Sequence, residues 1–348
     1  VFFPLYINYC TATFVLIIFL NQLKLQKMAT TKKSSTASKT KASTTASKPS
    51  PQQLATNIVL NPSLLGGIFT LPKRKGYSLH IGLNSVNPSH YGGWSGPLKA
   101  CEADANDMQK IAQSQGYTKI TKLLTAQGTR AGVINTLNSY ATKLVAGDIL
   151  FVSYSGHGGQ IPDYSGEEAD NKDETWCLYD GQLTDDELKL QWNKFAKGVR
   201  IFVLSDSCHS GTVTRDALVR EAAKNNLGTP RAMPSEIALK TYRDNKATYD
   251  KIQAAVALSG IQYVLPSDVH PNVRLISGCQ DNQVSYDGTF NGLFTANLLK
   301  AWNNGAFVGN YTQFFSKIMT FMPSYQSPNH YVIGNTVSGF GQEKPFAI

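Results

Sequence analysis

The chain has 348 residues, 42% apolar and 16% charged, which suits one large domain or two small ones around a substantial core. Its formal charge of +9 is concentrated: residues 1–75 hold ten Lys/Arg and no Asp/Glu, leaving 23 basic against 24 acidic residues from 76 onward. A nearly neutral folded part excludes a nucleic-acid groove there, because phosphate binding needs clustered positive charge. Five widely spaced cysteines with no C-x-x-C argue against a disulfide framework or zinc knuckle and for a reducing compartment.

In chain order, residues 1–27 open with "VFFPLYINYCTATFVLIIFL", which reads as an untranslated upstream artefact, with Met28 as the natural start, or as a hydrophobic anchor. The expectation is therefore a cytoplasmic protein, with membrane anchoring through residues 1–20 as the alternative. Residues 28–75 form a basic arm rich in Ser, Thr, Ala and Lys; its stretch from 28 to 53 lacks apolar periodicity and is expected to be disordered. From Gly76 the pattern predicts strand "YSLHIGLNSV", a helix near Pro97 to Ser114, strand "TKITKLL", a helix near Thr129 to Val145, strand "DILFVSYS", a helix near Asp185 to Ala196 and strand "VRIFVLSDS". A mixed-charge stretch from Arg215 to about Lys251, part helical and otherwise exposed, leads to strand "VRLISG", a helix around "GLFTANLLKAW" and an amphipathic segment "YTQFFSKIMTFM". Strands that are apolar throughout, alternating with helices, predict an α/β fold with a mainly parallel sheet flanked by helices on both faces.

Two glycine- and serine-rich loops follow apolar strands: "SYSGHGGQ" and "SDSCHSG". In open parallel sheets the loops at the carboxyl ends of strands surround the ligand crevice, so His157 and Cys208 are placed to meet. A thiol paired with an imidazole suffices for nucleophilic hydrolysis, and backbone N–H groups near Gly158 and Cys208 are candidates to hold an oxyanion. Taken singly, each residue has a structural alternative: a small buried thiol for Cys208, a hydrogen-bonded core imidazole for His157. A metal site built from His157, Cys177, Cys208 and His209 finds no short ligand spacing to support it. His209 is read as a neighbour whose ring points elsewhere.

These two motifs, with "PLKACEADANDM" upstream and "ISGCQDNQVSYDG" downstream, resemble the caspase-family cysteine peptidases, specifically metacaspases and their prokaryotic relatives. The separation of Cys208 from His157, 51 residues, fits the spacing of about 50 that caspases show. The resemblance implies a caspase–hemoglobinase type fold, divided into a large-subunit-like block (76–215), a linker (216–265) and a small-subunit-like block (266–348). It implies a cysteine endopeptidase working through a Cys208/His157 dyad, with no orienting Asn or Asp evident, acting on protein or peptide substrates as a monomer. No Arg occurs between Arg74 and Arg130, where caspases carry the arginine that reads an acidic side chain. By the same resemblance Asp104 and Asp206 line a pocket for Arg or Lys. Their structural alternatives are a solvated helix flank for Asp104 and a helix cap for Asp206.

Residues 163–187 hold ten acidic side chains against one lysine. Several metacaspases bind calcium in this region, and Asp173, Asp185 and Asp186 match such positions approximately; the chemistry itself requires no cofactor. "TDDE" is equally a helix capping box with acids in the first turn. The stretch from Arg215 through the linker offers many Lys/Arg sites for self-cleavage, including Arg215, Arg220, Lys224, Arg231, Lys240, Arg243 and Lys246. The alternative from another class is a catalytically silent caspase-like interaction module.

Overall fold

The computed structural model describes residues 73–163, 171–208, 224, 228–260, 271–280, 283–334 and 339–348, all within the unit Leu71–Ile348. The expectations about residues 1–27, most of the basic arm, and His209 lie outside the described residues. Among the described residues no helix is long and apolar enough to cross a membrane.

Six strands form one sheet: β1 (Gly76–Gly82), β2 (Lys119–Leu124), β3 (Ile149–Ser155), β7 (Arg200–Asp206), β8 (Asn272–Ser277) and β9 (Asn329–Ile333), in the spatial order β2-β1-β3-β7-β8-β9. All neighbours are parallel except β9, which runs antiparallel to β8. Every residue of β3 and β7 is buried. Leu150, Val152, Ile201 and Val203 enter one core, while Ile149, Phe151, Phe202 and Leu204 enter another. That two-sided burial is why these strands read as continuous apolar runs. Helix α1 (Cys101–Ser114) supplies Met108, Ile111 and Ala112 to the second core, with Phe294 and Leu298 of α6 (Leu293–Trp302) and Phe314 and Ile318 of α7 (Tyr311–Met319). Helix α2 (Arg130–Ala141) brings Val133 and Leu137, and α3 (Asp185–Trp192) brings Leu188 and Trp192, to the first.

Helix boundaries follow the hydrogen bonds. Thr129 caps α2 by accepting from the Gly132 N–H, and Thr184 with Glu187 forms the capping box that "TDDE" encodes. Helix α1 starts at Cys101 rather than near Pro97, because the N–H of Leu98 donates to Asn84 and those of Lys99 and Ala100 donate to the Asp287 carboxylate.

Two features depart from the expected pattern. A second sheet, antiparallel, comprises β4 (Gly158–Pro162), β5 (Lys172–Leu178) and β6 (Gly181–Thr184). The glycines of β4 and the charges of β5 hide it from a periodicity argument. The mixed-charge stretch contains α4 (Ser235–Asp244) and α5 (Lys246–Ser259), but the part just before them is not exposed: Arg231 is completely buried.

Candidate active site

Parallel pairing of β3 with β7 aligns Ser155 with Asp206, so both strands end at one sheet edge. The next residues are Gly156–His157–Gly158 from one strand and Ser207–Cys208 from the other. Their backbones touch: a Cβ built on Gly158 would lie 1.7 Å from the Cys208 carbonyl oxygen, so only glycine fits there.

His157 is buried, and its ring packs on Trp94 with centroids 4.7 Å apart. Nε2 lies 3.0 Å from the Gly96 carbonyl oxygen; a carbonyl only accepts, so Nε2 carries a proton and donates. The orienting group that the sequence did not reveal is therefore a backbone carbonyl. Gly96 has φ +51°, and a Cβ there would crowd the Trp94 and His157 rings. The other buried histidine among the described residues, His80, sits between Ser78 and Ser153 inside the sheet, and burial lowers its pKa to about 3. It is a neutral core residue.

Cys208 is also buried. Its sulfur accepts a hydrogen bond from the Ser285 N–H and lies 3.5 Å from the Ser285 carbonyl oxygen. The amides of Gly158 and Cys208 point to one place. Both donate to the carbonyl oxygen of Arg231, at 3.0 and 3.1 Å.

The Arg231 side chain runs from there into a pocket of three carboxylates. Nη2 lies 2.7 Å from Asp104 Oδ2 and 2.9 Å from Asp287 Oδ1, and Nη1 lies 2.9 Å from Asp206 Oδ2. Nη1 also donates to Ser155 Oγ at 2.8 Å. Each acid is held in turn. Asp104 accepts from Ser155 Oγ, Asn291 Nδ2 and the Gly292 N–H; Asp206 accepts from Ser285 Oγ and from the N–H and hydroxyl of Thr295. Asp287 accepts from the N–H groups of Lys99 and Ala100. Asp104 is thus a buried pocket wall, not a solvated flank. Asp206 both lines the pocket and satisfies the first turn of α6. Burial raises the Asp104 carboxyl to about 6 against the opposing pull of Arg231, with Asp206 adding to the rise. The three acids hold the Arg231 guanidinium well above its ordinary range, overcoming burial.

The backbone around Arg231 is seated like an added strand. Its N–H donates to Ser285 O at 2.8 Å, Thr229 O accepts from the Asp287 N–H at 2.8 Å, and Met233 N–H donates to Gly158 O at 2.8 Å. Sequence reasoning missed Asp287 and Ser155 as pocket groups, and it named Arg231 only as one cleavage candidate among seven. The signal available for Asp287 was its place just beyond β8, near the edge that carries the other acids.

Asp173, Asp185 and Asp186 are not brought together as ligands. Asp173 accepts from Gln253 Nε2 at 3.0 Å, and Lys189 Nζ lies 2.9 Å from Asp186 and 3.6 Å from Asp185. Among the described residues no group of three or more His, Cys, Asp or Glu converges on a metal position. Glu167, Glu168 and Asp170 of the same acidic stretch lie outside the described residues.

A buried Cys/His pair at the carboxyl edge of a mainly parallel sheet, beside an acid-lined pocket, defines a caspase-like class of site. A family model described as the caspase domain matches residues 85–337, and the chain belongs to that family. It is 28% identical over 258 residues to metacaspase-1 of Schizosaccharomyces pombe, covering 66% of this chain and 59% of that protein. It is 29% identical over 255 residues to metacaspase-1A of Aspergillus fumigatus, covering 64% and 58%. The chain thus spans under two thirds of the length of these relatives. A crystal structure of a protein from Geobacter sulfurreducens superposes with a TM-score of 0.70 at 49% identity, covering 78% of this chain and 98% of that one.

Proposed function

We propose that the chain is a cysteine endopeptidase that cuts after Arg or Lys, and that its first substrate is its own Arg231–Ala232 bond. The carrying observation is the double engagement of Arg231, whose side chain fills the pocket of Asp104, Asp206 and Asp287 while its carbonyl oxygen accepts from Gly158 and Cys208. A carbonyl held by two amides beside a thiol is poised for attack.

In this reading the Cys208 sulfur attacks the Arg231 carbonyl carbon, and the two N–H groups hold the oxyanion. His157 passes the thiol proton through Nδ1 to the Ala232 nitrogen as the peptide bond breaks. Water then hydrolyses the thioester, releasing the new carboxylate and restoring the thiol. Ala232 packs in one apolar cluster with Cys208, which keeps the leaving nitrogen close. An arginine suits a planar array of carboxylates better than any acidic residue, which all three acids repel. Peptides and proteins with a basic residue before the cut bond are the proposed substrates.

The test is release of a fluorophore from Arg-, Lys- and Asp-ended peptides by wild type and Cys208→Ala, with intact mass of each chain. A fragment beginning at Ala232 in the wild type alone, with turnover of basic peptides, is expected. Equal rates for the two proteins would leave a silent interaction module as the better reading. Preference for Asp would overturn the pocket assignment.

A further inference from the structure

We propose that Cys279 is the resolving partner of Cys208 in a reversible disulfide, which switches the site off under peroxide and on again under a dithiol. This rests on Cys208 being the nucleophile. β7 and β8 are parallel neighbours with Ser205 opposite Ser277, at a strand spacing of about 4.8 Å. Cys208 and Cys279 follow a few residues later on the same edge. The Gly278 N–H donates to Ser205 O at 2.8 Å, and the Cys279 sulfur lies 3.7 Å from Ser207 O. Both cysteines belong to one buried cluster with Ala232, Val284 and Tyr286.

Interaction with the neighbouring Cys208 sulfur, together with burial, pushes the Cys279 thiol well above the ordinary thiol range. Cys279 therefore keeps its proton and serves as the resolving thiol. Access runs through Cys279. Cys208 is covered by the segment around Arg231, whereas Cys279 lines a cavity of about 450 Å³ with Trp176, Trp192, Val203 and Leu275. Tyr331 and Val332, which also line it, are exposed, so the cavity reaches the surface. Peroxide and small reductants fit such a space; a protein substrate does not.

The chemistry balances. Hydrogen peroxide transfers one oxygen to the Cys208 sulfur, giving a sulfenic acid and one water. The Cys279 sulfur attacks that sulfur; the S–S bond forms, the S–O bond breaks, and a second water leaves with the Cys279 proton. A dithiol reverses the step by exchange.

The experiment treats the full chain with hydrogen peroxide, then dithiothreitol, following intact mass, peptide maps and turnover of an Arg-ended peptide. In the wild type the expected results are a loss of about 2 Da, a Cys208–Cys279 linked peptide, and an activity loss of about tenfold or more that dithiothreitol restores. Cys279→Ala, or Cys279→Ser if the first does not fold, should retain activity. It should instead gain about 32 Da at Cys208 and stay inactive after reduction. Absence of the linked peptide in the wild type, or equal recovery in the Cys279 variant, would overturn the proposal. The link is read by mass, so activity surviving in Cys208→Ala would sink the peptidase reading separately.

Discussion

The Arg231 carbonyl oxygen accepts a hydrogen bond from the Cys208 N–H at 3.1 Å, so the linker presents its own peptide bond to the residue that would cleave it. The same contact blocks the cleft. On the proposed reading, an outside substrate enters only when this segment leaves, which lowers apparent affinity by the fraction of open molecules.

Replacing Arg231 by Ala should therefore act in two opposite directions. Turnover of an added Arg peptide by the uncut chain should rise about tenfold or more as the cleft opens. Stability should fall by about 3 kcal/mol, because three buried acids lose their counter-charge. Denaturant titration and initial rates measure the two effects, and Arg231→Lys should show both more weakly.

Asp287→Asn should lower kcat/KM for Arg peptides about 30-fold or more, near 2 kcal/mol, as expected for truncating one partner of a buried charge pair. Asp287 touches the guanidinium and not the reacting carbonyl, so the loss should appear mainly in KM. A change confined to kcat would show that its role is elsewhere.

Arginine binding needs a charged Asp104, whose carboxyl burial raises to about 6. With Arg231 out of the pocket its downward pull on Asp104 is lost, so kcat/KM for Arg peptides should rise with pH along a limb above about 6 and then level off. In Asp104→Asn that limb should vanish along with most of the turnover. A pH profile unchanged by this substitution would refute the assignment.

Asp173 supplies a stability test. Burial, chiefly, and repulsion from Asp185, Asp186 and Asp163 raise its carboxyl to about 8, with the Gln253 hydrogen bond opposing. The folded state then holds a proton that the unfolded chain, near 3.8, has lost. Stability from this group falls as pH rises from about 4 to 8 and is constant above. The gap in Tm between Asp173→Asn and wild type should open across that window.

Gly158→Ala places a methyl group where the Cys208 carbonyl already sits. The forced backbone shift should cost about 1–3 kcal/mol and displace an amide from the Arg231 oxygen. Peptide turnover and thermal melts together would reveal a tolerated substitution, which is not expected.

Most of the sheet was legible because β3 and β7 bury both faces and so read as unbroken apolar runs between loops rich in glycine and serine. Local chemistry likewise marked His157, Gly158 and Cys208, since glycine beside a nucleophile records close backbone approach. The β4–β6 sheet was not legible, because its glycines and charges satisfy long-range pairing and no local period. Nor was the occupant of the pocket. The basic residues from Arg215 onward are equivalent as letters; Arg215 and Arg220 lie outside the described residues, and among the described ones Arg231 has its charge balanced by Asp104, Asp206 and Asp287, which arrive from α1, β7 and the loop after β8. Sequence determined which groups could do the chemistry, through local pattern and spacing. Tertiary structure decided which groups face one another, because a buried charge is stable only where distant elements bring its counter-charges together.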